Sequence, residues 1–181
     1  MRLARRLLVL AAMCGALCNV AGAAETAATK KKLVAFAQDT MANDWRAAQV
    51  RDLQQSFARH PDVEFIFTDA NGDTARQVED IEKLAARGVD VLITSPRDAE
   101  LMREPIARVY RKGIPVILLS RRVNGDEFTQ FIAADNRAIA RQAAQYLARR
   151  LNGKGRILVL QGVPTASSAI DRTAGFEEEL K

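Results

Sequence analysis

From residue 33 onward, short apolar runs alternate with longer amphipathic stretches. Residues 33–37, 63–68, 89–94, 115–119, 131–134 and 156–161 are apolar-rich runs bounded by polar residues, glycine or proline. Runs of this length with such boundaries predict buried strands. The intervening stretches have helical spacing. Residues 45–59 place Ala47, Val50, Leu53 and Phe57 on one face, and residues 74–87 do the same with Val78, Ile81, Leu84 and Ala85. A third helix runs to residue 112, with Pro105 expected at its N1 position, where the missing N–H costs nothing. Residues 136–151 repeat Ile139, Ala143, Tyr146, Leu147 and Arg150 at intervals of three and four, and residues 165–181 carry Ile170, Ala174, Phe176 and Leu180. Asn43 or Asp44, and Asp73, supply caps; Gly88, Gly113 and Asn152-Gly153 supply stops.

Alternation at this spacing predicts an α/β fold, a doubly wound parallel sheet with helices on both faces. The elements through Ala134 suffice for the core of one lobe. Those after it, two helices and one strand, are too few to cover both faces of a sheet. The expected organisation is a first lobe at residues 32–134 and a second lobe at residues 135–181 that is only begun. In such sheets ligands bind outside the carboxyl ends of the strands. That places Ser120, Arg121 and Arg122 at a site mouth.

The net charge of +5 changes this picture little. Arg2, Arg5 and Arg6 lie in the first 24 residues without an acidic partner, and the remainder holds 24 basic against 22 acidic residues. The longest basic run is Lys30–Lys32, so no nucleic-acid footprint is expected. Residues 1–24 have the form of a secretory signal: a basic start, an apolar stretch at residues 7–17, and Ala21-Gly22-Ala23 before the cut. An uncleaved anchor is the alternative, disfavoured because the apolar run is shorter than the ~20 residues of a spanning helix. Residues 25–31 read as a linker. Cys14 and Cys18 both fall in the signal, which leaves no cysteine for disulfides, thiolate catalysis or zinc.

Enzyme signatures are sparse. No G-x-G-x-x-G follows a strand, Gly153-Lys154-Gly155 precedes a strand rather than opening a helix, and no G-x-S-x-G elbow exists. His60, the only histidine, sits at a helix end before proline. The loop carboxylates Asp39, Asp44, Asp69, Asp98 and Asp135 read mostly as caps. No cofactor or metal is expected. What remains is a set of recognition residues at strand ends: Asn43, Asp44, Trp45 and Arg46 after the first, and Ser120, Arg121 and Arg122 after the fourth. An aromatic face, a guanidinium fork and amides suit a small polyol or sugar. Trp45 reads equally as first-turn packing. Arg46 and Arg122 read as solvated charges, and Arg121 as a site residue.

Four segments together resemble the periplasmic sugar-binding proteins of the ribose-binding type, which serve ABC transporters. They are Asn43-Asp44-Trp45-Arg46; the block QVEDIEKLAARGVDVLITSP from Gln77 to Pro96; GIPVILLSR ending at Arg121, followed by Ala134-Asp135-Asn136; and AIDRTAGF with Arg172, Gly175 and Phe176. The resemblance implies two lobes closing on ligand. It implies ligand contacts at Asn43, Trp45, Arg121 and Arg172, and a hinge at Ala134, Asp135 and Asn136. The chain departs from the pattern at Ser120, where sugar binders usually carry an aspartate, and at Arg46, where a second aromatic is common.

The expectation is thus a periplasmic solute-binding protein, not an enzyme. It would capture a sugar or similar small polar ligand and deliver it to a membrane ABC permease. A ligand sensor of the same fold signalling to a membrane kinase or chemoreceptor is the main alternative. A lac-repressor-type regulator would need a helix-turn-helix where the signal stands. An unrecognised α/β enzyme would have to turn its ligand over. With one cleft wall incomplete, binding is expected to be weak or absent.

Overall fold

The computed structural model describes residues 30–181. The signal reading of residues 1–24, and residues 25–29 of the expected linker, lie outside that span. Five strands, β1 (Lys32–Gln38), β2 (Val63–Asp69), β3 (Val91–Thr94), β4 (Val116–Leu119) and β5 (Gln130–Ile132), form one parallel sheet in the order β2-β1-β3-β4-β5. Helices α1 (Asp44–Phe57), α2 (Thr74–Ala86) and α3 (Arg103–Arg111) connect the first four strands, and α4 (Asn136–Arg150) and α5 (Ser167–Glu179) follow the sheet.

Side chains alternate between the faces of a strand, so each face collects its own core. Val34, Phe36 and Ile93 pack with Val50 of α1 on one side. Ala35, Ala37, Leu92, Val116 and Leu118 pack on the other with Ile81 and Leu84 of α2, and Ile106 and Val109 of α3. Burial on both faces is why β1 reads as a near-continuous apolar run rather than an alternating one. The α/β doubly wound reading holds, with helices on both sides of a first-lobe sheet.

Local chemistry sets the helix ends. Asn43, Asp73 and Asp135 each accept a hydrogen bond from the backbone N–H three residues on, at 3.0, 3.1 and 2.9 Å. These satisfy donors that the first turn leaves free. After α2 the chain turns at Gly88 with φ +78°, a conformation most side chains disfavour.

Four expectations are corrected. Strand β3 starts at Val91, two residues late, because Asp90 turns back: its N–H donates to Leu33 O at 2.8 Å and its carboxylate accepts from Leu33 N at 2.8 Å. Pro105 is the third residue of α3, not the first. That position is still in the first turn, where no i−4 carbonyl is lost.

Residues 156–161 form no strand, and Leu158 and Leu160 are 86% and 88% exposed. A strand needs a ladder partner, and none of the described strands pairs with this segment. Finally, the expected apolar face of α4 is not its buried one. Ile139 and Tyr146 are exposed, while Asn136, Ala140 and Ala144 are buried. Helices α4 and α5 approach through small residues: a Cβ on Gly175 would stand 2.4 Å from Arg137 O.

Candidate functional site

In the order β2-β1-β3-β4-β5 the connections leave β1 and β3 in opposite directions, which opens a crevice at their carboxyl ends. Asp39 directly follows β1, Ser95 follows β3, and Ser120 and Arg121 follow β4. The helix after β1 brings Arg46 to the same place, in the first turn of α1. These side chains meet.

Asp39 is fully buried. Its Oδ2 accepts from Arg121 Nη1 at 2.6 Å and lies 3.9 Å from Arg97 Nη1. Its Oδ1 lies 3.4 Å from Arg46 Nε, an ion-pair distance without hydrogen-bond geometry. Arg46 Nη1 donates to Ser95 Oγ at 2.5 Å, Gln49 Oε1 at 3.0 Å and Ser120 Oγ at 3.2 Å. Ser120 reaches this position with φ +62°, unusual for a residue with a side chain. Burial pushes the Arg46 guanidinium down to about 10; Asp39 opposes that shift and Arg121 reinforces it. Arg46 therefore remains a cation at neutral pH. Only 5% of it is exposed, so its reading as a solvated charge is wrong: the first turn of α1 aims it into the crevice.

Gln77, buried on α2, fixes the loop that follows β3. Its Nε2 donates to Ser95 O at 3.0 Å and Ala37 O at 3.2 Å, and its Oε1 accepts from Arg97 N at 3.0 Å. The strand ends are thus tied across the sheet by one amide, and Thr94 Oγ1 adds a bond to Ala37 O at 2.9 Å.

A second set of contacts joins the mouth to α5. Arg122 is not a free solvated charge either: it binds Asp171 through both nitrogens, at 2.5 and 3.0 Å, and its N–H donates to Ser167 Oγ at 2.8 Å. Hydrogen bonding to Arg122 holds the Asp171 carboxyl below the usual carboxylate range. Arg172 Nε donates to Asn136 Oδ1 at 2.8 Å. Arg121 and Arg172 both line a cavity of about 600 Å³ bounded by α4, α5 and residues 159–163, with Gln161 and Phe176 among its walls.

The expected site residues divide accordingly. The structure brings Arg121 and Arg172 to one cavity. Asn43 and Trp45 stand apart from it, on the first turn of α1. Asn43 spends its amide oxygen on the helix cap. Trp45 is 68% exposed, so its ring is not packed into the first turn. The expected hinge residues Ala134, Asp135 and Asn136 follow β5 and open α4, where Asp135 is the cap and Asn136 Nδ2 donates to Ala134 O at 3.3 Å.

Asp39, Ser95 and Arg97 were not singled out by sequence. Asp39 reads as one more capping carboxylate, and Ser95-Pro96-Arg97 as an ordinary loop. The available signal was positional: each stands at or just beyond the carboxyl end of a strand. Among the described residues no group of three or more His, Cys, Asp or Glu is placed to hold a metal, and no helix is long and apolar enough to cross a membrane. The arrangement presents guanidinium and hydroxyl hydrogen-bonding groups at the carboxyl ends of the sheet.

Comparison with known proteins agrees. Residues 34–181 match the periplasmic binding protein domain family. The ribose import binding protein RbsB of Haemophilus influenzae is 28% identical over 158 residues, 87% of this chain and 54% of that one. The galactofuranose-binding protein YtfQ of Escherichia coli is 28% identical over 181 residues, 98% of this chain and 55% of that one. Among solved structures, the fructose-binding periplasmic domain of the hybrid two-component system BT1754 superposes with a TM-score of 0.80 at 32% identity. It shares 82% of this chain and 49% of its own. The chain spans about half the length of the curated relatives it matches. The parallel sheet, the crevice at its carboxyl ends and the match over residues 34–181 lead to one statement: the chain belongs to the periplasmic binding protein domain family.

Proposed function

We propose that the chain is the ligand-binding part of a periplasmic carbohydrate-uptake protein, exported by the signal at residues 1–24. It captures a sugar or similar small polar ligand and presents it to an ABC permease. Residues 32–134 form the first lobe, and residues 135–181 begin a second that closes on the ligand about Ala134, Asp135 and Asn136. Arg121, Asn43 and Arg172 supply hydrogen bonds, and Trp45 supplies a stacking face. The protein performs no covalent step. The observation that carries this reading is the convergence of Arg46, Ser95, Ser120 and Arg121 at the carboxyl ends of the sheet, with an exposed tryptophan on the adjoining helix turn. The names of RbsB and YtfQ support the sugar and import parts of it.

A second reading has its own support: the BT1754 domain belongs to a two-component system, and in this reading a membrane kinase responds to the ligand-bound state. Uptake separates the two. Deleting the gene stops accumulation of a labelled ligand if the chain serves a permease, and leaves it intact if the chain serves a sensor.

Trp45 is the only tryptophan, so intrinsic fluorescence reports on this site. With one cleft wall incomplete any binding should be weak, so titration of the purified chain with ribose, fructose, galactose and xylitol runs to millimolar concentrations, where at least one of them should give a saturable change. Ser95→Ala should weaken it. A chain that responds to none of these, or responds identically after Ser95→Ala, does not use this site for such ligands.

A further inference from the structure

We propose that the ligand taken by this crevice carries a carboxylate: a sugar acid rather than a neutral sugar. This rests on the solute-binding reading above and narrows its ligand class. Three guanidiniums, Arg46, Arg97 and Arg121, converge on the single carboxylate of Asp39. At the ends of β3 and β4, Ser95 Oγ and Ser120 Oγ are uncharged and lie 3.4 Å apart, both within reach of Arg46; Asp69, which ends β2, accepts from the N–H of Asn71 at 2.8 Å. The neighbouring acids are committed elsewhere. Asp98 accepts from the N–H groups of Glu100 and Leu101 at 2.9 and 2.7 Å, and Asp171 is held by Arg122. The cluster therefore keeps an excess of two positive charges in a water-poor crevice.

Its donors are also under-used. A guanidinium has about five N–H donors in a fixed fork. Arg121 gives one hydrogen bond, to Asp39, and its Nε is buried without a hydrogen-bond partner. Arg97 reaches Asp39 only at 3.9 Å and keeps 27% of its side chain exposed. A neutral hydroxyl takes one donor and leaves the charge excess in place. A carboxylate takes a fork of two donors and lowers that excess by one charge. Arg121 lies at the boundary between this cluster and the cavity of about 600 Å³, large enough for a six-carbon acid. The carboxylate would sit toward Arg121 and Arg97, with the hydroxyls turned to the serines and the cavity.

The test is calorimetric titration of the chain with matched pairs: galacturonate against galactose, and gluconate against glucose, at about 20 mM and about 300 mM NaCl, a range over which screening grows strongly. The acid of at least one pair should bind about tenfold or more tighter than its neutral partner at low salt. That advantage should shrink at high salt. Ser120→Asp, which adds a carboxylate beside Arg46, should abolish the advantage of the acid over its neutral partner. A neutral sugar that binds as tightly as its acid, with no salt dependence, overturns the sugar-acid inference and leaves solute binding standing. Inorganic sulfate binding as tightly as either acid also overturns it, because the site would then recognise a bare anion. If no sugar, neutral or acidic, binds the chain, both this inference and the solute-binding reading fail.

Discussion

Replacing Asp39 by asparagine keeps the shape of the side chain and removes the only negative charge in a cluster of three arginines. Oδ2 lies 2.6 Å from Arg121 Nη1, and Oδ1 lies 3.4 Å from Arg46 Nε. At an effective dielectric of about 20 these separations correspond to attractions of about 6 and 5 kcal/mol. Most of that is offset by the desolvation of the ions, so the intact cluster adds little net stability. Its disruption is another matter. Arg46 is 5% exposed and cannot reach water, so losing its counter-ion leaves a buried, uncompensated cation. Breaking a buried pair in this way costs about 3–5 kcal/mol. Arg121 can relax toward the cavity that it lines, which puts the expected loss near the lower end.

Urea unfolding of Asp39→Asn should therefore show a loss of about 3 kcal/mol, and thermal unfolding a drop of roughly 6–12 °C for a domain of this size. Arg46→Met in the Asp39→Asn background should recover part of the loss, because it removes the stranded cation. A loss below about 0.5 kcal/mol for Asp39→Asn, the range of an ordinary surface change, would refute the assignment of Asp39 as the counter-ion. So would a double variant that is simply the sum of its parts.

Gly175→Ala should separate α4 from α5, since the new methyl would stand 2.4 Å from Arg137 O; a loss of about 1–3 kcal/mol and faster proteolysis within residues 136–181 are expected, and unchanged proteolysis would contradict the close approach. The Arg122–Asp171 link should depend on pH. The Asp171 pKa is depressed from 3.8, so its stabilisation is fully present above about pH 4 and is lost as pH falls through the folded value. The Tm gap between the wild type and Asp171→Asn should be worth about 1 kcal/mol at pH 6, given the partial exposure of Arg122, and should narrow as pH falls below about 4; a gap constant with pH would contradict it. Leu158→Lys with Leu160→Lys should reduce aggregation of the chain in light scattering, because the exposed apolar segment offers unpaired backbone for strand addition; equal aggregation would show that the segment is not the sticky element.

The first lobe was legible because its central strands, β1, β3 and β4, are largely buried. Such strands are unbroken apolar runs, and β1, β2 and β4 end within a residue of where the pattern ends. Caps were legible at Asn43, Asp73 and Asp135 because a side chain three residues before a backbone N–H is a local matter. The elements after β5 were less so. Residues 156–161 have the composition of a strand, yet a strand is a relation between two segments, and no described strand lies beside this one. On α4 the pattern marked Ile139 and Tyr146, but the partner helix α5 selects the small residues Ala140 and Ala144 instead. The site was half legible. Arg121 stood out because it ends an apolar run. Asp39 and Arg46 did not, because a charged residue in a loop or first helix turn looks the same whether solvated or buried. What distinguishes them is a partner far away in sequence, 82 residues from Asp39 in the case of Arg121.

The central claim is that ligand is held at the carboxyl ends of β1, β3 and β4. Chemical-shift mapping of the 15N-labelled chain during titration with a sugar or sugar acid tests it most directly, since it reads even millimolar binding. Saturable shifts should concentrate on the backbone N–H groups of residues 39–46, 95–97 and 120–122. Shifts confined to other surfaces, or none at all with any sugar or sugar acid that the fluorescence and calorimetric titrations include, would contradict it.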